Sequence, residues 1–182
     1  MSDMGILQNK FHYILKEQNL SYCKLAKLID EYESSLISMI KGKRPFTEKT
    51  IKKILPILKV TKEEFESWII ADKYPKEILE LAVQIKKNFP YKNKSILTNN
   101  IDCLLEKKEV SRTTLSKEIN YSQSGLNQII TGKRTMSASI LKKLSDFFEI
   151  SQEQILSWII ADKYSLEILE QALLCTGNEY FN

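Results

Sequence analysis

The chain has 182 residues, 43% of them hydrophobic and 27% charged, with a net charge of +4. Such a length serves one large or two small domains with ordinary packed cores, and no metal or disulfide staple is required. With only 5 Gly and 4 Pro beside many Ile, Leu, Lys and Glu, the composition favours helices and excludes a turn-rich all-β design.

Apolar residues recur with the helical period along the whole chain. The first half reads as helices near 6–18, 21–29, 33–41, 47–58, 61–72 and 75–88. The second half reads as helices near 96–108, 111–119, 123–131, 137–148, 151–162 and 165–175. Ser21, Thr47, Thr61, Ser111, Ser137 and Ser151 stand where N-caps are wanted. Glu63 and Glu64 follow Thr61, and Glu153 and Gln154 follow Ser151, in the manner of a capping box. Pro75 suits the first turn of the sixth helix. Pro56 is expected to kink the fourth helix or end it early. The polar stretch KKNFPYKNKS at 86–95 reads as a connection.

Sliding the chain against itself by 90 residues gives a gapless match from position 7 to 85, with 29 identities in 79 pairs. GKR at 42–44 meets GKR at 132–134, SWIIADKY at 67–74 meets the same octet at 157–164, and EILE at 77–80 meets EILE at 167–170. Where identity fails the apolar character holds, as in Phe11 with Ile101, Ile54 with Leu144 and Phe65 with Ile155. The expectation is an all-α chain of two tandem units of five to six helices, 1–88 and 96–182, with a linker at 89–95.

Within each unit the informative segments are SYCKLAKLIDEYESSLISMIKGKR (21–44) and SRTTLSKEINYSQSGLNQIITGKR (111–134). Each reads as two short amphipathic helices joined by a turn of three or four residues. Steeply crossing helices need a small side chain at their approach, and Ala26 and Ser116 occupy that place. The turn needs a residue tolerant of positive φ, and Asp30 and Asn120 are of the non-glycine types that adopt it most readily. Leu25, Ile29, Leu36 and Met39 should face the core, as should Leu115, Ile119, Leu126 and Ile129. Gly42 and Gly132 should terminate the second helix of each pair.

These segments resemble the helix-turn-helix of the phage Cro/repressor-type (XRE-like) family, over about residues 6–66 and 96–156. The resemblance implies lambda-repressor-like units whose second motif helix enters the major groove of double-stranded DNA. It implies base-reading positions at Glu33, Ser34, Ser35 and Ser38 in the first unit, and at Gln123, Ser124, Gly125, Asn127 and Gln128 in the second. It further implies phosphate contacts from Tyr22, Lys43 and Arg44 and from Arg112, Lys133 and Arg134. The family usually carries glycine in the turn, where Asp30 and Asn120 stand. It usually carries glutamine where Tyr22 and Arg112 stand, which alters the phosphate clamp. A prokaryotic or phage protein of the cytoplasm, associated with the nucleoid, is the corresponding expectation.

The two units differ in chemistry. Gln and Asn can pair bidentately with adenine, so Gln123, Asn127 and Gln128 form a reading edge. Glu33 can accept only from cytosine and is repelled by phosphates. Positive charge gathers on the motif halves, with a net +5 over 21–59 and +3 over 111–149, against −1 over 60–90 and −4 over 150–182. Lys52, Lys53, Lys142 and Lys143 read equally well as solvated faces or as part of this charge.

Three scattered cysteines (Cys23, Cys103, Cys175) and a single histidine, His12, do not make a metal site and read as free thiols and a surface or packed imidazole. There is no Ser/His/Asp arrangement and no Gly-rich phosphate loop, so a non-enzyme without cofactor or small-molecule ligand is expected. No apolar run approaches the roughly 18 residues of a membrane span, and MSDMGILQNKF lacks the pattern of a secretory signal.

The repeated SWIIADKY places Trp68, Ile69 and Ile70, and likewise Trp158, Ile159 and Ile160, on a fifth helix that seals the core. Asp72, Lys73 and Tyr74, with Asp162, Lys163 and Tyr164, are not explained by burial. The sixth helices, apolar at Ile78, Leu79, Ala82 and Ile85, are expected to pair with each other or in a homodimer. The reading that follows is a transcription regulator whose two unequal motifs act as a pseudo-dimer. The alternative is a protein-interaction module that keeps the fold and contacts polymerase, a toxin or another regulator.

Overall fold

The computed structural model describes residues 5–89 and 95–177. Among these the chain is all helical: α1 Ile6–Glu17, α2 Tyr22–Leu28, α3 Glu33–Ile40, α4 Glu48–Leu58, α5 Lys62–Lys73, α6 Lys76–Asn88, α7 Ile96–Lys107, α8 Arg112–Glu118, α9 Gln123–Ile130, α10 Ala138–Phe148, α11 Gln152–Lys163 and α12 Leu166–Gly177. None of these helices is long and apolar enough to cross a membrane. Residues 90–94 of the connection read at 86–95 lie outside the described residues, and its first residues, 86–88, extend α6.

Helix starts are set by short polar side chains. Ser21, Thr47, Thr61, Ser111, Ser137 and Ser151 each accept a hydrogen bond from the backbone N–H three residues on, which satisfies one of the open amides of a first turn. Pro56 neither ends nor shortens α4, which runs on to Leu58 and matches α10 at 11 residues. The ring removes one intrahelical donor within the last turn, where little helix remains to be disrupted. Pro75 lies one residue outside the helix it was expected to open.

Two compact units result. The first comprises the described residues of Met1–Lys76 and Glu167–Asn182, and so contains α1–α5 together with α12. Its core contains an aromatic cluster: Phe11, Phe65 and Trp68 are buried, Phe11 and Phe65 meet edge-on at 6.0 Å, and Phe46 meets Phe65 at 5.2 Å. Cys175 of α12 lies against this cluster, and burial raises its thiol pKa. The second unit comprises the described residues of Glu77–Leu166, α6 with α7–α11. Its core is aliphatic, with Ile101, Leu115, Leu126, Leu144 and Ile155 fully buried and Trp158 nearly so. Lys86 of α6 donates to the carbonyl of Ala161 near the end of α11.

The compact units therefore divide the chain differently from the sequence segments 1–88 and 96–182, since each sixth helix joins the other unit's core. The apolar residues expected to pair sixth helices, Ile78, Leu79 and Ala82, are already buried in the single chain.

The sharing of SWIIADKY between the halves has a mechanical basis in the second unit. Trp158 and Ile160 are buried, and Asp162 reaches the first turn of α7. Its carboxylate accepts from the backbone N–H groups of Ile96 at 2.6 Å and Leu97 at 3.0 Å, and from the Ser95 hydroxyl at 2.6 Å. A negative charge at a helix N-terminus is favoured by the helix dipole as well as by these bonds. In the first unit Asp72 lies so close to the start of α1 that a Cβ on Gly5 would overlap its carboxylate. Lys73 and Lys163 each lie over the ring of the tyrosine that follows, at 5.1 Å.

Replacing Asp162 by Ala should lower the stability of the second unit by about 1–2 kcal/mol, the usual cost of losing a helix cap. Chemical denaturation followed by tryptophan fluorescence checks this, and a midpoint equal to that of the unmodified chain would contradict the assigned cap.

Candidate nucleic-acid interface

In the second unit the motif is built on the turn between α8 and α9. Asn120 takes φ of 49°, and the N–H of Tyr121 returns to the carbonyl of Ser116 at 2.8 Å. The carbonyl of Ile119, the C-cap of α8, accepts from Lys143 Nζ at 2.7 Å. The first unit repeats this geometry: Asp30 has φ of 59°, Glu31 N–H meets the Ala26 carbonyl at 2.9 Å, and Lys53 Nζ meets the Ile29 carbonyl at 2.8 Å. Lys53 and Lys143 thus hold the motif together and are not simply solvated charges. Ala26 and Ser116 are buried at the crossings, as are Leu25, Ile29, Leu36, Met39, Leu115, Ile119, Leu126 and Ile129. Gly42 and Gly132 adopt φ of 68° and 72° beyond the ends of α3 and α9.

With its inner face fixed, α9 turns a polar row outward. Gln123, Ser124 and Gln128 are exposed and Asn127 is half-buried. Together with Thr131 and Lys133 they line an open depression. Lys133 and Arg134 are exposed in the loop that follows. Ser122 caps the helix by accepting from Gly125 N–H at 3.2 Å. Gly125 itself is buried against the Tyr121 ring and the Ser122 hydroxyl, where an added Cβ would meet Ser122 Oγ at 2.7 Å. Of the positions expected to read bases, this one has no side chain to offer, its amide is engaged by Ser122, and it is buried.

Arg112, expected at a phosphate, is drawn inward instead. Its Nη2 lies 2.6 and 2.8 Å from the two carboxylate oxygens of Asp102, and its Nε lies 2.9 Å from Oδ1. Its Nη1 approaches Asn127 Oδ1 at 3.4 Å. Gln123 Nε2 donates to Thr113 Oγ1 at 2.8 Å. Asp102 and Thr113 carry no signal in the sequence, because nothing local places α7 and α8 beside α9.

The corresponding face of the first unit is different. α3 begins after Tyr32, which makes no side-chain cap, and its first turn carries Glu33. Glu33 and Ser34 are exposed, whereas Ser35 and Ser38 are half-buried. Arg44 Nη1 donates to Ser35 Oγ at 2.7 Å, and Ser35 Oγ in turn lies 3.4 Å from Glu31 Oε2. Thr50 Oγ1 lies 3.3 Å from the other Glu31 oxygen. Lys43 and Arg44 are both exposed, and Arg44 is engaged with its own motif. Tyr22 is half-buried against the core, and desolvation raises its phenol pKa, which keeps it a hydroxyl donor. Among the described residues no group of three or more His, Cys, Asp and Glu is placed to hold a metal.

A family model for the Cro/C1-type HTH DNA-binding domain matches residues 100–161, from within α7 to the last turns of α11. No curated protein and no solved structure gives a significant match to the chain. The matched span contains α8, its left-handed turn, α9 and the sealing helix α11, the parts that fix and support the outward polar row. Residues 100–161 thus form a helix-turn-helix domain of the Cro/C1 DNA-binding type.

Proposed function

We propose that the chain is a sequence-specific DNA-binding transcription regulator whose two helix-turn-helix motifs act as an unequal, covalently joined pair, with α9 as the principal reading helix. The observation that carries this reading is the outward row Gln123, Ser124, Asn127 and Gln128, followed at once by exposed Lys133 and Arg134. Amide and hydroxyl side chains supply hydrogen-bond donors and acceptors for base edges, and the two cations lie where a phosphate would flank an inserted helix.

The first motif contributes on different terms. Its reading helix starts with a carboxylate, Glu33, and its Arg44 is tied to Ser35. A carboxylate facing a groove can only accept, from the amino groups of cytosine or adenine, and opposes nearby phosphates. α3 is therefore assigned the weaker or differently selective half of the site. Two unlike motifs on one chain favour an imperfectly palindromic operator. Joining them raises the effective concentration of the second motif once the first is bound.

Replacing Lys133 and Arg134 together by Ala should weaken duplex binding at all sequences and flatten the dependence of log affinity on log salt, by roughly one unit for each phosphate no longer neutralised. The matching Lys43 and Arg44 double variant should change both quantities less. Fluorescence anisotropy with a duplex selected from a random library, repeated across a salt series, measures both. An unchanged affinity and slope in the Lys133/Arg134 variant would reject the assigned phosphate-binding role.

A further inference from the structure

We infer that Arg112, held by Asp102, is a positioning residue that fixes the amide of Asn127 and so sets base preference, instead of anchoring a phosphate. The inference rests on the reading of α9 given above and deepens it.

The geometry divides the Arg112 guanidinium into two faces. Nε and Nη2 are spent on the Asp102 carboxylate, at distances of 2.6, 2.8 and 2.9 Å. A planar fork so engaged has little freedom to turn. The remaining nitrogen, Nη1, points to Asn127 at 3.4 Å. A guanidinium has only donors, so the atom of Asn127 that faces it must be the carbonyl oxygen. The amide orientation thus follows from the chemistry of the partner. The Asn127 NH2 group is left for whatever enters the depression shared with Gln123, Ser124, Gln128, Thr131 and Lys133.

That orientation has a consequence for recognition. Bidentate pairing with adenine uses both ends of an asparagine amide, the oxygen accepting from N6 and the nitrogen donating to N7. With its oxygen turned toward Arg112, Asn127 presents chiefly a donor. Base edges that offer an acceptor in the major groove, such as guanine O6 and N7 or thymine O4, fit a donor, and the cytosine amino group does not.

The coupled set is specific to the second motif. Ninety residues earlier the three positions are His12, Tyr22 and Ile37, none of which can reproduce a carboxylate–guanidinium–amide chain. All three members differ together, as expected of a unit that works as one device.

The test uses the full chain in two arms. In the first, side-chain amide resonances of Asn127 are compared by NMR in the free protein, Arg112→Met and Asp102→Asn. Both substitutions should shift the Asn127 NH2 signals while the backbone spectrum of α9 stays in place. Unmoved signals would overturn the inference without bearing on DNA binding. In the second arm, affinities are measured for a selected duplex and for single base-pair variants of it, across a salt series. Arg112→Met should relax discrimination at one base pair by a factor of about ten and leave the salt slope unaltered. It should also show no further relaxation when combined with Asn127→Ala. If Arg112 instead anchors a phosphate, its removal weakens every sequence alike and lowers the salt slope by about one unit. Asp102→Asn would then strengthen binding by releasing the cation. Either result would overturn the inference while leaving the regulator reading intact. Failure of the unmodified chain to select any duplex would remove that reading itself.

Discussion

The geometry of both motifs hangs on one backbone torsion. Asp30 and Asn120 must hold positive φ so that the chain can leave one helix and enter the next within four residues, a conformation that costs a residue with a Cβ roughly 1 kcal/mol. Several interactions offset that cost. The N–H beyond the turn bonds back to Ala26 or Ser116, and a lysine from α4 or α10 takes the C-cap carbonyl of the first motif helix. The ammonium there also faces the negative end of a helix dipole. Buried Leu, Ile and Met on both helices complete the fixation. A one-residue slip would rotate α9 by about 100° and carry its polar row into the core. The outward direction of Gln123, Ser124 and Gln128 is therefore decided by residues outside that polar row.

On this shared scaffold the outer faces have diverged. The first unit has Phe11, Phe46 and Phe65 where the second has Ile101, Met136 and Ile155, yet the helix bounds coincide throughout the motif. The polar networks at the surface share no pattern. One links Arg44, Ser35, Glu31 and Thr50; the other links Asp102, Arg112 and Asn127. At the positions of Ser35, Glu31 and Thr50 the second unit has Gly125, Tyr121 and Ile140. A cation is thus drawn onto the motif in each unit, but from opposite sides: from the loop after the reading helix in the first, and from the helix before the turn in the second.

What could be read from the sequence is what depends on near neighbours. Helical period, Ser and Thr caps, the left-handed Asp30 and Asn120, and the terminating Gly42 and Gly132 are decided within a few residues, and the structure shows each of them. Burial of the motif's apolar face follows from the same period. What could not be read depends on elements brought together from far along the chain. The sixth helices carry an apolar face, and periodicity alone does not say which core such a face joins. Asp162 acts 65 residues away from Leu97, and Arg112 is turned by a carboxylate on another helix. Gly125 was legible as a small residue in a reading helix, but its burial under Tyr121 is a tertiary fact.

This division also accounts for where the two halves agree most closely. SWIIADKY makes no part of the outward polar row. Its tryptophan and second isoleucine are buried in each unit, and in the second unit its aspartate holds the start of α7 from the far end of α11. One octet therefore supplies core volume and the junction between the first and fifth helices at once. A change at its buried serine, tryptophan, second isoleucine or alanine disturbs packing, and one at Asp162 disturbs capping, and those costs do not depend on what α3 or α9 contacts. Residues 33–38 and 123–128 carry fewer such constraints, since only Leu36 in the first segment, and Gly125 and Leu126 in the second, are buried. The agreement of the sealing helix and the divergence of α3 from α9 are two sides of the same arrangement: stability resides in one face of the unit, which leaves the other free to vary.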